Sequence, residues 1–277
     1  YLSNCPKLSI IMILFSSWCF LKFSKDFAIG IILFSIFIYF GLTNMPWLPL
    51  ILIYGLIGFK IGGLKLSITI VASFLFITFT GVLPQALLSI YLCGIAVIIS
   101  FILGSSLGIW AAHNDNVSAF MRPINDTMQT MPSFVILIPF VMFFGIGEFT
   151  ALLAIIAYAF VPAMRYTEHG LRNLPETVIE AARMIGCSQT QLLWKVKIPL
   201  AMPVIMLGLN QTIMFGLAML VIAALVGTTG LGQLIYIGLS KADFGTGMIS
   251  GVSIALIAIR FDRTTQAWRI KLEKKTQ

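Results

Sequence analysis

The amino-acid sequence predicts an all-α, polytopic helical membrane protein. Its 277 residues are 59% hydrophobic and only 10% charged, whereas a soluble domain carries about a quarter charged residues. Mean hydropathy is +1.00. The uncharged runs are long and helix-like rather than alternating at every second residue, which argues for a helical bundle over a transmembrane β-barrel. A packed soluble core is excluded.

The runs fall at about residues 8–21, 27–43, 45–59, 66–83, 86–112, 131–147, 149–164, 204–227 and 247–259. The first and third are short for a crossing of roughly 20 residues. The fifth carries Ser100, Gly104, Gly108 and Ala112 at intervals of four, and the ninth carries Gly247, Gly251 and Ala255. Small residues at this spacing let helices approach closely; intramolecular packing is the favoured use and a dimer seam the alternative. Gly145-Ile146-Gly147-Glu148 leaves room only for a tight turn between the sixth and seventh runs. Residues 1–85 read as N-terminal transmembrane helices, 86–268 as the main body, and 269–277 as a basic tail. The chain opens on Tyr1, with no short apolar segment and cleavage site behind it, so a piece of a longer protein is expected.

Nine crossings in strict alternation, begun outside, place all but two of the 18 Lys and Arg on the inner side, leaving Lys7 and Lys241 outside. That asymmetry obeys the positive-inside rule. The net charge of +8 is thus a topology signal with some affinity for anionic lipid heads, rather than a nucleic-acid footprint. None of the runs carries Asp, Glu, Lys, Arg or His in its interior, although ion-driven carriers usually keep such a group there. The energy for transport is expected to come from elsewhere.

Cys5, Cys19, Cys93 and Cys187 show no paired spacing, so neither disulfides nor a metal site is read. His113 and His169 lack ligand spacing and read as solvated loop residues, and Asp115 and Asp126 as loop or cap residues. Gly58-Phe59-Lys60-Ile61-Gly62-Gly63-Leu64 lacks the Gly-Lys pair of a phosphate-binding loop, so this chain cannot itself cradle ATP. No paired carboxylates or nucleophile-base spacing suggests an active site. Asn210, Gln211 and Thr212 form the most polar cluster within a run. Their amides need partners across the bundle or in a water-filled path, and lining of the translocation route is one hypothesis for them.

Residues 175–199 break the apolar pattern. Pro175 suits a first helical turn, Glu176 complements the positive end of the helix dipole, and Gly186 can adopt the left-handed conformation that ends the helix. Ser188 with Gln191 forms a capping-box pattern that starts a second short helix, which Pro199 limits. Ala181 and Ala182 leave little bulk beside Glu180 and Arg183, so a partner surface can come close and find charged hydrogen bonds. An ordinary interfacial hairpin fits these letters equally, and a DNA-binding helix-turn-helix is set aside because membrane runs flank the segment.

Glu180-Ala181-Ala182, three residues, Gly186, nine residues and Val196-Lys197-Ile198-Pro199 resemble the EAA loop of permease subunits in binding-protein-dependent ABC importers. Asp126-Thr127-Met128-Gln129-Thr130-Met131-Pro132, Asn210-Gln211-Thr212, Gly230-Leu231-Gly232-Gln233 and Phe261-Asp262-Arg263-Thr264-Thr265-Gln266 extend the resemblance to the glycine betaine/proline betaine importer group over about residues 86–268. The resemblance implies a type I permease core, here with extra N-terminal transmembrane helices and an EAA loop at 165–203. It implies two cytoplasmic ATP-binding subunits, a periplasmic or tethered substrate-binding protein, a second permease copy, and the bacterial cytoplasmic membrane. ATP-Mg then belongs to the ATPase, and the aromatic cage for a quaternary ammonium chiefly to the binding protein. By position, Glu180, Ala181, Ala182 and Gly186 make the ATPase contact, with the EAA loop and the C-terminus cytoplasmic. Residues 1–85 show no detailed match, Arg260 stands where relatives continue an apolar helix, and Cys187 replaces a more usual Ala. Two alternatives remain at this stage: an ion-coupled secondary carrier, and a non-transporting scaffold whose hairpin recruits a partner.

Overall fold

A computed structural model describes residues 47–276; the expected runs at 8–21 and 27–43 lie outside them. The described residues form helices and turns with no β-strand. The order is α1 (Trp47–Phe79), α2 (Leu83–His113), α3 (Asp115–Thr130), α4 (Ser133–Phe144), α5 (Glu148–Arg172), α6 (Glu176–Met184), α7 (Gln189–Gln191), α8 (Ile198–Ala223), α9 (Leu231–Ser240) and α10 (Phe244–Thr276). By length and composition alone, five helical stretches among the described residues are candidate spans, α1, α2, α5, Gln189–Val226 and α10, although α1 folds back on itself at Gly63 and is not one straight crossing. The bent pair α3–α4 makes a sixth if counted as one span.

The runs at 45–59 and 66–83 are two arms of one helical hairpin. Gly63, at φ 76° and ψ −168°, interrupts the helix in a conformation open to glycine but costly for other residues. Beyond it the chain folds back, so that the Ser67 hydroxyl donates to the Gly55 carbonyl (2.8 Å) and Tyr54 stacks on Phe74 at 4.9 Å. A Cβ on Gly58 would lie 2.6 Å from Ile70 Cδ1. Each arm, about 24 Å at 1.5 Å per residue, is shorter than a hydrocarbon core of about 30 Å.

The run at 131–147 is not a straight crossing. α4 has 12 residues, about 18 Å, and meets α3 at 103°. Pro132 drives the bend: it disfavours the helical region for Met131, which sits at φ −68° and ψ 137°. The tight turn before α5 is present, with Gly145 at φ 73°. The connection around 231–240 contains a helix the sequence reading does not foresee, because ten residues are too few for a crossing.

The centre of the molecule is α2, α5 and α8, with α5 between the other two, and α10 packs on α8, α9 and the α1 hairpin. The stripe on α2 is intramolecular packing. The Ser100 hydroxyl reaches the Ile156 carbonyl (3.3 Å), and Cβ atoms on Gly104 and Gly108 would stand 2.5 Å from the Phe160 carbonyl oxygen and 2.6 Å from that of Met164. On the last helix only Gly247 serves this way, facing Gly238 of α9, while Gly251 has nothing within 4 Å.

Candidate functional site

The segment at 175–199 begins as expected and then departs. α6 starts after Pro175, which sits just outside the helix at φ −58° and ψ 123°, and Gly186 turns the chain at φ 87°. Ser188 and Gln191 form the reciprocal capping box. The second arm, however, does not stop at Pro199. Leu192–Lys197 widen into a π turn in which the Ile198 N–H reaches the Leu193 carbonyl, five residues back, and the chain runs on into α8. A proline lacks an N–H and its ring crowds the carbonyl four residues earlier. The wider turn absorbs both defects.

Ala182 is buried, and α6 packs on the π turn. Glu180, Ala181, Arg183 and Gly186 face outward, next to Met184 and Ile185, which are 89% and 84% exposed, and Trp194 on the second arm at 63%. An apolar tip with a carboxylate and a guanidinium beside it is suited to docking: the apolar area supplies affinity and the charges fix the register.

The hairpin hangs directly from α5, whose last turns are clamped to α3. Arg165 donates to Asp126 (2.6 Å) and to Gln129. Arg172 pairs with Asp115 (2.8 Å) and Glu168 (3.1 Å) and also donates to the Ala111 carbonyl (2.6 Å), while the Ser118 hydroxyl donates to Glu168 (2.5 Å). Asp126, Arg165, Glu168 and Arg172, with Arg122, Asn125, His169 and Asn173, line a cavity of about 300 Å³. Asp115 and Asp126 are therefore helical ion-pair partners rather than loop residues, and His113 and His169 sit in the last turns of α2 and α5. Sequence reasoning missed this clamp, although Asp126 with Gln129 and Arg165 with Glu168 and Arg172 each fall on one helical face.

Asn210, Gln211 and Thr212 point in three directions, as consecutive helical residues must. Asn210 is buried and donates to Asp262 (2.8 Å) while its carbonyl oxygen accepts from Thr265 (2.5 Å). Gln266 holds the same Asp262 carboxylate at 2.8 Å. Thr212, with no exposed surface, donates to the Gly208 carbonyl (2.8 Å), and Gln211 is half-buried. Two motifs separated by some fifty residues thus close on each other across α8 and α10. Among the described residues no cluster of three His, Cys, Asp or Glu could hold a metal ion.

The family model described as "Binding-protein-dependent transport system inner membrane component" matches residues 104–261, from mid-α2 into α10. The chain belongs to this family of permease subunits. The permease is 39% identical over 226 residues to the glycine betaine/proline betaine transport system permease protein ProW of Escherichia coli (strain K12), covering 82% of this chain and 64% of that protein. It is 35% identical over 266 residues to the glycine betaine transport system permease protein OpuAB of Bacillus subtilis (strain 168), covering 95% and 94%. The chain spans less than two thirds of the ProW length but nearly all of OpuAB. In fold it resembles the inward-facing MetNI methionine ABC transporter, with a TM-score of 0.60 at 20% identity over 67% of this chain and 93% of that one. An amino acid ABC transporter gives 0.59 at 17% identity over 71% and 98%. The fold is that of an ABC importer permease, and the permease is a transport component rather than an enzyme.

Proposed function

We propose that this permease is the membrane-spanning subunit of an ATP-driven importer of glycine betaine/proline betaine-type osmolytes. In this reading two ATP-binding subunits, which hold the ATP-Mg, dock on the EAA hairpin through Glu180, Ala181, Ala182 and Gly186. A periplasmic or tethered binding protein delivers the osmolyte, and a second permease copy completes the pathway. The hairpin and the C-terminus face the cytoplasm of a bacterial cell, following the charge map. Asn210, Gln211 and Thr212 border the route, with Gln211 the member whose amide makes no bond to another described residue. The substrate class comes from the relatives named as betaine permeases.

The observation that carries the coupling role is mechanical. α6 is tied at one end to α5 through Asn173–Pro175 alone, and at the other to α8 through one Gly turn and a continuous π-helical junction. Closure of the ATPases would therefore move α5 and α8 together, biasing an equilibrium between outward and inward openings by differential binding to the two states. Glu180→Lys reverses the docking charge. Gly186→Asp forces a β-substituted residue to φ 87°, at a cost of about 1–2 kcal/mol. Both variants should insert in the membrane at wild-type levels yet fail to co-purify with the ATPase or to stimulate its hydrolysis. Normal uptake in both variants would remove the coupling role.

A further inference from the structure

Arg260 interrupts α10 just after its apolar stretch, and its guanidinium makes no hydrogen bond or ion pair with any described residue. Its Nε is buried without a partner. The neighbouring carboxylate, Asp262, is already held by Asn210 and Gln266. The arginine opens on a cleft of about 90 Å³ between the α1 hairpin and α10, whose other walls are Tyr54, Ile57, Ile70, Phe74, Phe261 and their neighbours. A cation beside apolar walls without a counter-ion is unfavourable unless something supplies the negative charge.

The surroundings point to the chemistry of that missing group. α1 and α10 are the least buried of the candidate spans, 28% and 17% in their most apolar windows, and Leu52, Leu56, Ile57 and Ile259 are exposed on them. Below the cleft the hairpin tip carries Lys60 and Lys65, and the Lys271 ammonium donates to the Lys60 carbonyl (3.0 Å). Trp268, 46% exposed, stands in this stretch as an aromatic residue of the kind that settles at head-group level. Apolar walls above, an unpartnered guanidinium at their edge and three lysine ammoniums beneath complement an acyl chain joined to a phosphate.

We propose that this cleft binds one anionic phospholipid, with its phosphate on Arg260 and the start of an acyl chain against Ile57, Ile70 and Phe261. A guanidinium matches two phosphate oxygens in a bidentate contact, and the lipid joins the peripheral hairpin to the helix that holds Asn210. The site is independent of the ATPase and of the substrate carried.

The test is retention of phosphatidylglycerol by the full-length permease, purified in detergent and read by native mass spectrometry under phosphatidylcholine challenge. Wild type should hold one phosphatidylglycerol per chain that phosphatidylcholine does not displace. Arg260→Gln should weaken retention roughly tenfold or more, the loss of a charge-assisted contact, while Arg263→Gln, which removes the same charge from an exposed position on the same helix, should leave it unchanged. Ile57→Trp, which fills the cleft from an exposed rim and keeps every charge, should also release the lipid and covers the case in which Arg260→Gln does not fold. Equal losses in the Arg260 and Arg263 variants, retention in both cleft variants, displacement by millimolar inorganic phosphate alone, or an Arg260→Gln change in oligomeric state without lipid loss would each overturn the proposal.

Discussion

Asn210 and Asp126 each tie together helices that sequence distance keeps apart. Asn210 uses both ends of its amide on α10, so Asn210→Leu leaves Asp262 short of a donor and should lower the unfolding free energy by about 1–3 kcal/mol, read as an earlier thermal transition in detergent. Gln211→Leu breaks no side-chain bond to another described residue and should leave that transition in place; lower uptake in this variant would support its place on the route, whereas normal uptake would remove it. Asp243, ahead of α10, accepts from the Thr246 hydroxyl (2.7 Å) and backbone N–H (3.3 Å), and these bonds, the hydroxyl foremost, hold its carboxyl below the ordinary carboxylate range. A depressed folded-state value stabilises above the ordinary value near 3.9 and loses the effect as pH falls through the folded one. The stability difference between wild type and Asp243→Ala should therefore be full at pH 7 and vanish in acid. The pairings of Asn210 and Asp126 could not be read from the sequence, since each joins residues whose proximity only the packing decides, whereas Asp243 and Thr246 are three residues apart; what the letters did reveal was that Asn210 needed a partner somewhere.

At the scale of the element, local chemistry was legible where one residue type decides the conformation. Gly186 ends α6 in the left-handed region, Ser188 and Gln191 cap the next arm, and the small-residue stripe of α2 faces α5. Pro199 misled because a proline normally limits a helix, whereas here a π turn lets α8 run through. Pro132 acted in the opposite sense, ending α3 and setting α4 at 103° to it, so that the run at 131–147 begins on a bend. The stripe can be tested by contrast: Gly104→Leu places side-chain atoms against the α5 backbone and should prevent folding, while Gly251→Leu meets open space and should leave the monomer fold unchanged, both followed by thermal unfolding. The clamp between α3 and α5 sets the base of the hairpin proposed to couple to the ATPase. Asp126→Asn removes the carboxylate from Arg165 in a half-exposed pair, 43% and 58%, so its effect on stability should be small, under about 1 kcal/mol, while ATP-driven uptake should fall if the hairpin needs a fixed base.

For the whole molecule, composition settled the membrane and the helices, and motif spacing settled the family. The number of crossings was less legible, because hydropathy does not distinguish a straight span from a hairpin arm or a bent half-helix. A hairpin in place of two crossings returns the chain to the side it left, whereas a bent half-helix in place of a crossing would reverse the alternation. The Lys271 ammonium meets the Lys60 carbonyl across the hairpin and α10. Arg172 joins Asp115 and the Ala111 carbonyl, while Glu148 accepts from Thr229 and Ser89 from the Leu231 N–H. Force from ATP turnover in a separate chain reaching this bundle through residues 175–199 is the central claim. Its most direct measurement is glycine betaine uptake into vesicles containing the permease, with ATP, ATPase and binding protein added singly and together. The expected result is uptake only with all three, abolished by Glu180→Lys; uptake driven by an ion gradient without the ATPase, or ATP-driven uptake unchanged by that substitution, would contradict it.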